Sequence, residues 1–184
     1  MKIILVSIFI SLLLFFPQTK LVKTKITQDI TVSIPENFTV MTPADVNQRY
    51  KSYRKPIALF TDPSRLVDFG VNFSFSKWAV GDLEILAKFY KSSLLNLYTE
   101  VEFINEGMRS INGKEYVHFE FISTISSTED NSMVILKPIR KYTQLLYTVD
   151  KGRTIIFNFS CPAEQQLIWQ SDASRIMASV NIKN

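Results

Sequence analysis

One histidine and one cysteine in 184 residues leave most nucleophilic and metal-binding schemes short of parts. His118 stands two positions from Glu120, so on a strand the imidazole and the carboxylate point the same way. Asp68, Asn72 and Asn158 hold polar positions in other alternating stretches and would join them if those strands are neighbours. An imidazole among carboxylates and amides can act as a general base or hold a metal. The same residue types also solvate an exposed sheet face or hydrogen-bond beneath a helix, and that plainer role is the expectation for this polar sheet face. Cys161, near Phe159 and Pro162, has no base beside it in sequence and reads as a small buried hydrophobe. There is no Gly-x-Ser-x-Gly, no phosphate-cradling glycine loop, no His-Glu-x-x-His and no paired cysteines at metal spacing. No metal site, no cofactor and no enzymatic activity are therefore expected.

A second constellation is basic and aromatic: Arg49, Tyr50, Lys51, Tyr53, Arg54 and Lys55. Interleaved cations and rings grip phosphates or carboxylates, or stack on bases. The plainer alternative is a solvated connector with its tyrosines on the edge of the core. As a candidate partner-binding segment it comprises Arg49, Tyr50, Tyr53, Arg54 and Lys55.

These residues need positioning elements. From Leu66 to Trp78, Val67, Phe69, Val71, Phe73 and Phe75 alternate with polar residues or glycine, which predicts a central strand with one apolar face. Two amphipathic helices are the expected cover for that face. One follows Asp82 with the stripe Leu83, Leu86, Tyr90, Leu94 and Leu97; the other follows Pro162 with Trp169, Ala173, Ile176 and Val180. Thr42-Pro43-Ala44-Asp45 predicts a short third helix ending near residues 51–53. Asn112-Gly113 between two apolar runs predicts a hairpin, because both turn positions favour positive φ. Strands are also expected at Ile30–Ile34, around Phe38 and Val40, at Ile57–Thr61, Met133–Leu136, Ile139–Val149 and Arg153–Phe159. The fold class is thus α+β, an antiparallel sheet of about six or seven strands packed with helices.

Residues 1–17 combine a positive head with the apolar run Ile3 to Phe16, closed by Pro17. A membrane-crossing helix needs about 20 residues, so the run reads as an export signal. No small-x-small triplet precedes Gln18, which keeps an uncleaved anchor, and with it proximity to a membrane, as the alternative. Residues 18–27 carry three lysines and are expected as a flexible lead-in to a single domain over 28–184. Net charge is +4, or +3 without Lys2, too weak a bias to call for nucleic acid. Asn-x-Ser/Thr matches at Asn37, Asn72 and Asn158 are treated as chance.

In order and pattern the chain resembles the PsbP-like superfamily, which includes the Ran-binding protein Mog and bacterial envelope proteins. The resemblance is carried by Ile34-Pro35-Glu36-Asn37-Phe38, by Leu66 to Asn72, by the hairpin Ile111 to Tyr116, and by Gly152 to Pro162 with the final helix and Ser179-Val180. It spans about residues 28 to 182. It implies an α/β/α sandwich around an antiparallel sheet, used as a binding or accessory module with no cofactor. Three functions are carried forward. The first is an exported, periplasmic or secreted, non-catalytic protein engaging a protein or envelope component. The second is a hydrolase or metal-dependent enzyme using the polar face around His118. The third is a carrier of an apolar ligand held between sheet and helix.

Overall fold

The computed structural model describes residues 19–50, 55–74, 76–126 and 137–183. The segment 1–17, Tyr53, Arg54 and the strand expected over Met133–Leu136 lie outside the described residues. Asn112 and Gly113 adopt φ of 50° and 79°, the left-handed pair that a two-residue turn needs to match the twist of its strands. The turn joins β6 (Glu100–Ile111) to β7 (Lys114–Ile125), with Ile111 opposite Lys114. Asn112 adds a tertiary tie, its Nδ2 donating to the Val180 carbonyl at 2.7 Å.

The remaining elements in chain order are β1 (Leu21–Lys25), β2 (Ile30–Pro35), β3 (Thr39–Val40), α1 (Pro43–Arg49), β4 (Ala58–Thr61), β5 (Asp68–Phe73), α2 (Leu83–Leu97), β8 (Ile139–Asp150), β9 (Arg153–Pro162), α3 (Gln166–Ala178) and β10 (Asn181–Ile182). One antiparallel sheet of seven strands runs β3-β4-β5-β9-β8-β7-β6. A second, antiparallel sheet of three strands runs β1-β2-β10. Edge strand β6 discourages further pairing with Glu100, Glu102 and Glu106 and a bulge between Phe103 and Asn105.

Alternation along the strands divides the core in two. On one face Phe69 and Val71 of β5, Phe157 and Phe159 of β9 and Leu146 of β8 pack with Ala173, Ile176 and Met177 of α3 and with Ile30, Val32 and Ile34 of β2. On the other face Val117, Phe119 and Phe121 of β7 and Leu145, Tyr147 and Val149 of β8 pack with Leu83, Leu86 and Leu94 of α2. The result is an α+β sandwich with helices on both faces of the large sheet.

Three expectations change. Residues 18–27, expected as a flexible lead-in, supply β1, because β2 needs a partner along its outer edge and Leu21 packs onto the core. The apolar face of β5 is covered by α3 together with the small sheet, and α2 lies on the opposite face. Leu97 is in phase with the α2 stripe but 68% exposed, because Tyr98 takes the inner position against Phe121, ring centroids 6.1 Å apart.

Cys161 is buried and free, its thiol pushed up to about 12 by burial and by the charge of Glu164. It is a core side chain. A Cβ at Gly113 would meet nothing within 4 Å, so only the left-handed backbone resists substitution there. Gly113→Ala is expected to lower stability by about 1–2 kcal/mol, read as a shifted urea midpoint with an unchanged denaturant slope.

Candidate functional site

α1 is too short to hold itself in place, since an isolated helix of fewer than about 12 residues is marginal in water. It starts well, with Thr42 Oγ1 accepting from the Asp45 amide at 3.2 Å and Asp45 Oδ2 accepting from the Thr42 amide at 3.3 Å, after which Pro43 opens the first turn. Yet none of its residues is fully buried. What fixes it to the sheet is its far end. Arg49 Nη2 donates to Asp68 Oδ2 at 2.5 Å and the Tyr50 hydroxyl donates to the same oxygen at 3.0 Å. Thr61 Oγ1 donates to Asp68 Oδ1 at 2.8 Å and accepts from Arg49 Nη1 at 3.3 Å. Asp45 adds an ion pair to Arg65.

Asp68 is only 4% exposed, so its charge depends on these three donors. Burial, then the charge and the hydrogen bond of Asp68, push the Tyr50 phenol well above its ordinary range. Tyr50 therefore stays a donor at any physiological pH. The basic and aromatic segment and the polar side of the sheet, separate in sequence, meet at this carboxylate.

Pairing extends the polar row. Asp68 of β5 faces Ser160 of β9, which faces Thr143 of β8. One step along, Gly70, Asn158 and Leu145 form the next row on the same face. α1 covers one end of this area and Tyr98, just past α2, the other. Between them lies a cavity of about 170 Å³ lined by Arg49, Tyr50, Asp68, Tyr98, Lys141, Thr143, Leu145, Asn158 and Ser160. Asn158 Oδ1 is buried without a hydrogen-bond partner.

On the other side of Tyr50 is a larger and more apolar cleft of about 480 Å³, bounded by Val40, Met41, Val46, Asn47, Lys55, Ile57 and Leu59. Gly70 shapes it indirectly, for a Cβ there would sit 2.7 Å from Leu59 Cδ2. Lys55 is the third member of the basic segment that the structure describes. Asn72 shares the face of Asp68 but lines neither cavity.

His118 and Glu120 do not join this site. Pairing runs Val71 to Phe157 to Leu146 to His118, which puts His118 on the α3 face of the sheet with the apolar row of β5. There Glu120 Oε1 accepts from the Tyr142 hydroxyl and from Gln170 Nε2, both at 2.7 Å. Gln144 Nε2 donates to the Tyr142 oxygen at 2.7 Å and to Ser174 Oγ at 3.0 Å. The His118 ring is fully buried and neither nitrogen makes a well-formed hydrogen bond. Burial first, and the charge of Arg109 second, lower it to about 4 against the opposing influence of Glu120 and Gln144. Among the described residues no group of three or more His, Cys, Asp or Glu side chains is placed to hold a metal.

Sequence reasoning missed Thr61, Tyr98, Lys141, Thr143 and Ser160. Thr143 and Ser160 were visible as polar positions within strands, but only the strand order brings them beside Asp68.

No protein-family model and no curated protein matches the chain. Solved structures do. Cyanobacterial PsbP (CyanoP) from Synechocystis sp. PCC 6803 superimposes with a TM-score of 0.60 at 13% identity, covering 88% of this chain and 92% of that one. The chain has the PsbP-like fold. Two further structures share the PsbP-like architecture at 10% identity and a TM-score of 0.54 each. LpqN of Mycobacterium tuberculosis, described as involved in cell envelope biogenesis, matches 90% of this chain and 91% of its own. The Ran-binding protein Mog1p of Saccharomyces cerevisiae matches 90% and 96%.

Two measurements test the site as described. In a double-mutant cycle of Arg49→Met and Asp68→Asn, urea titrations are expected to give a coupling of about 1–3 kcal/mol; independent effects would mean that the pair does not hold α1. For His118, the neutral ring is native and the unfolded ring titrates at its ordinary value of 6.5, so protons favour the unfolded chain. Its contribution is intact above pH 6.5 and declines as pH falls towards 4, by up to about 3 kcal/mol. The stability of the native chain relative to His118→Gln should shrink over that window, and a flat difference would contradict the burial of the ring.

Proposed function

We propose that the chain is an exported, non-catalytic binding or accessory protein that engages a protein or envelope component through the corner where α1 meets β4 and β5. The observation that carries this reading is the clamp of Arg49 and Tyr50 on Asp68. It turns a short helix into a fixed wall with a polar cavity on one side and an apolar cleft on the other. A surface that pairs an apolar pocket with a few convergent polar groups is the common form of a recognition site. Export is supported by the apolar segment within residues 1–17; among the described residues no helix is long and apolar enough to cross a membrane. The involvement of LpqN in envelope biogenesis and the binding of Ran by Mog1p fit a fold used for association. The hydrolytic reading has less support, because its central residue, His118, is sealed under α3 and faces away from Asp68 and Asn158.

A groove between α2 and the β6–β7 hairpin favours the carrier reading as a second function. It encloses about 340 Å³ against Ala87, Met108, Val117 and Phe119, and the Lys91–Glu106 ion pair crosses it at 2.5 Å. Native mass spectrometry of the full chain tests it; a co-purifying apolar molecule that Met108→Trp excludes would favour this second function.

The main reading is tested with a photo-crosslinking residue at Asn47, exposed at the rim of the apolar cleft, in the full chain expressed in its native cells. A discrete protein adduct is expected that disappears in Val46→Glu and does not form from Glu102 on the far edge strand. The same adducts from both positions, or an adduct indifferent to Val46→Glu in a variant that melts like the native chain, would overturn it.

A further inference from the structure

The small sheet turns one side to the core and the other to solvent. Ile30, Val32 and Ile34 of β2 and Ile182 of β10 point inward and are buried. Alternation therefore sends Thr31, Ser33 and Asn181 outward, and Lys25 and Lys23 of β1, paired with Thr31 and Ser33, join them. Lys183, just past β10, is the next outward position, and its amide keeps the extended course by donating to the Asp29 carbonyl at 2.8 Å. Lys23, Lys25 and Lys183 are exposed, and among the described residues none of them has an ion-pair partner. The acids at the rim, Glu36 and Asp29, are already paired with Lys20 at 2.7 Å and Lys151 at 3.0 Å. Three unmatched positive charges thus share one face, with only hydroxyl and amide side chains between them, in a chain whose whole net charge is +4.

The course of the chain narrows what covers this face. Arg175 Nη1 donates to the Thr19 carbonyl at 3.0 Å, which pins the backbone just ahead of β1. In sequence the apolar run Ile3 to Phe16 ends three residues before Thr19, at most about 11 Å of extended chain. A bilayer that takes up this run therefore has the lysine face beside its headgroups. The run is shorter than the roughly 20 residues of a full span, so on its own it holds weakly. Stable attachment to a membrane takes two signals, and one apolar anchor with one polybasic patch is such a pair.

We infer that the outer face of the small sheet lies on an anionic lipid surface, with Lys23, Lys25 and Lys183 against the headgroups and the apolar run ahead of Thr19 in the bilayer beside them. Each lysine close to such a surface strengthens attachment about fivefold, so the three together contribute about a hundredfold. Salt screens that gain, because the lysines are exposed. The docking is separate from the α1 corner, which opens on the reverse of the large sheet. An acidic protein surface is the competing occupant, but it offers no place to the apolar run.

The test puts a spin label on the full chain through Thr31→Cys, at the centre of the face, or through Asn47→Cys at the α1 corner; Cys161 is buried and does not compete for the label. The chain is reconstituted with vesicles of phosphatidylcholine alone or with added phosphatidylglycerol, and relaxation by a water-soluble agent is read. The label at Thr31 is expected to lose at least threefold in aqueous accessibility on the phosphatidylglycerol vesicles only, while the label at Asn47 stays accessible on both. High salt, or the combination Lys23→Gln, Lys25→Gln and Lys183→Gln in a chain that melts like the native one, should restore the access. Equal accessibility of Thr31 on the two kinds of vesicle, shielding that survives the triple substitution, or a full chain that fails to float with the phosphatidylglycerol vesicles overturns the inference. Equal shielding by soluble polyglutamate without lipid overturns it in favour of an acidic protein. None of these outcomes touches the crosslink from Asn47, so the reading of the α1 corner stands or falls by its own experiment.

Discussion

Asp68 is a carboxylate placed on the one strand that the core can least spare. Its neighbours Val67 and Phe69 are fully buried, so the strand cannot turn Asp68 towards solvent without losing them. A buried carboxylate is tolerated only when donors surround it. Thr61 comes from the adjacent strand, but Arg49 and Tyr50 have to be brought in by a separate element. α1 exists at that place for this reason: with no buried residue of its own, it has little else to hold it. The same requirement settles the local landscape, since the helix end that satisfies Asp68 also separates the polar cavity from the apolar cleft.

Much of the fold was readable because its signals are local. Asn112-Gly113 specifies its own backbone, and the alternation of β5 and the capping box of α1 each need only a few consecutive residues. The small sheet was not readable, because the worth of β1 lies in residues far along the chain: β2 beside it, and α3, whose Arg175 Nη1 donates to the Thr19 carbonyl at 3.0 Å. Three lysines among residues 18–27 looked like a solvated tail, and an outer edge strand is solvated too.

The candidate site shows the same division. The residue types were legible, and Arg49, Tyr50, Asp68 and Asn158 do converge. Their grouping was not, because a strand tells which residues share a side but not which side of the sheet that is. His118 and Glu120 share a face with each other and with Phe157, not with Asn158. The carboxylate of Glu120 serves a hydrogen-bond network with Tyr142, Gln144 and Gln170, a use of hydrophilic residues that periodicity alone cannot separate from an open surface.

The contact between Arg175 and Thr19 also sets a direction. The described chain enters the domain at Thr19, beside α3 and the small sheet, while the corner of Arg49, Tyr50 and Asp68 opens on the reverse of the large sheet. A leash attached ahead of Thr19 would pull on one side of the molecule and leave its opposite side facing outward.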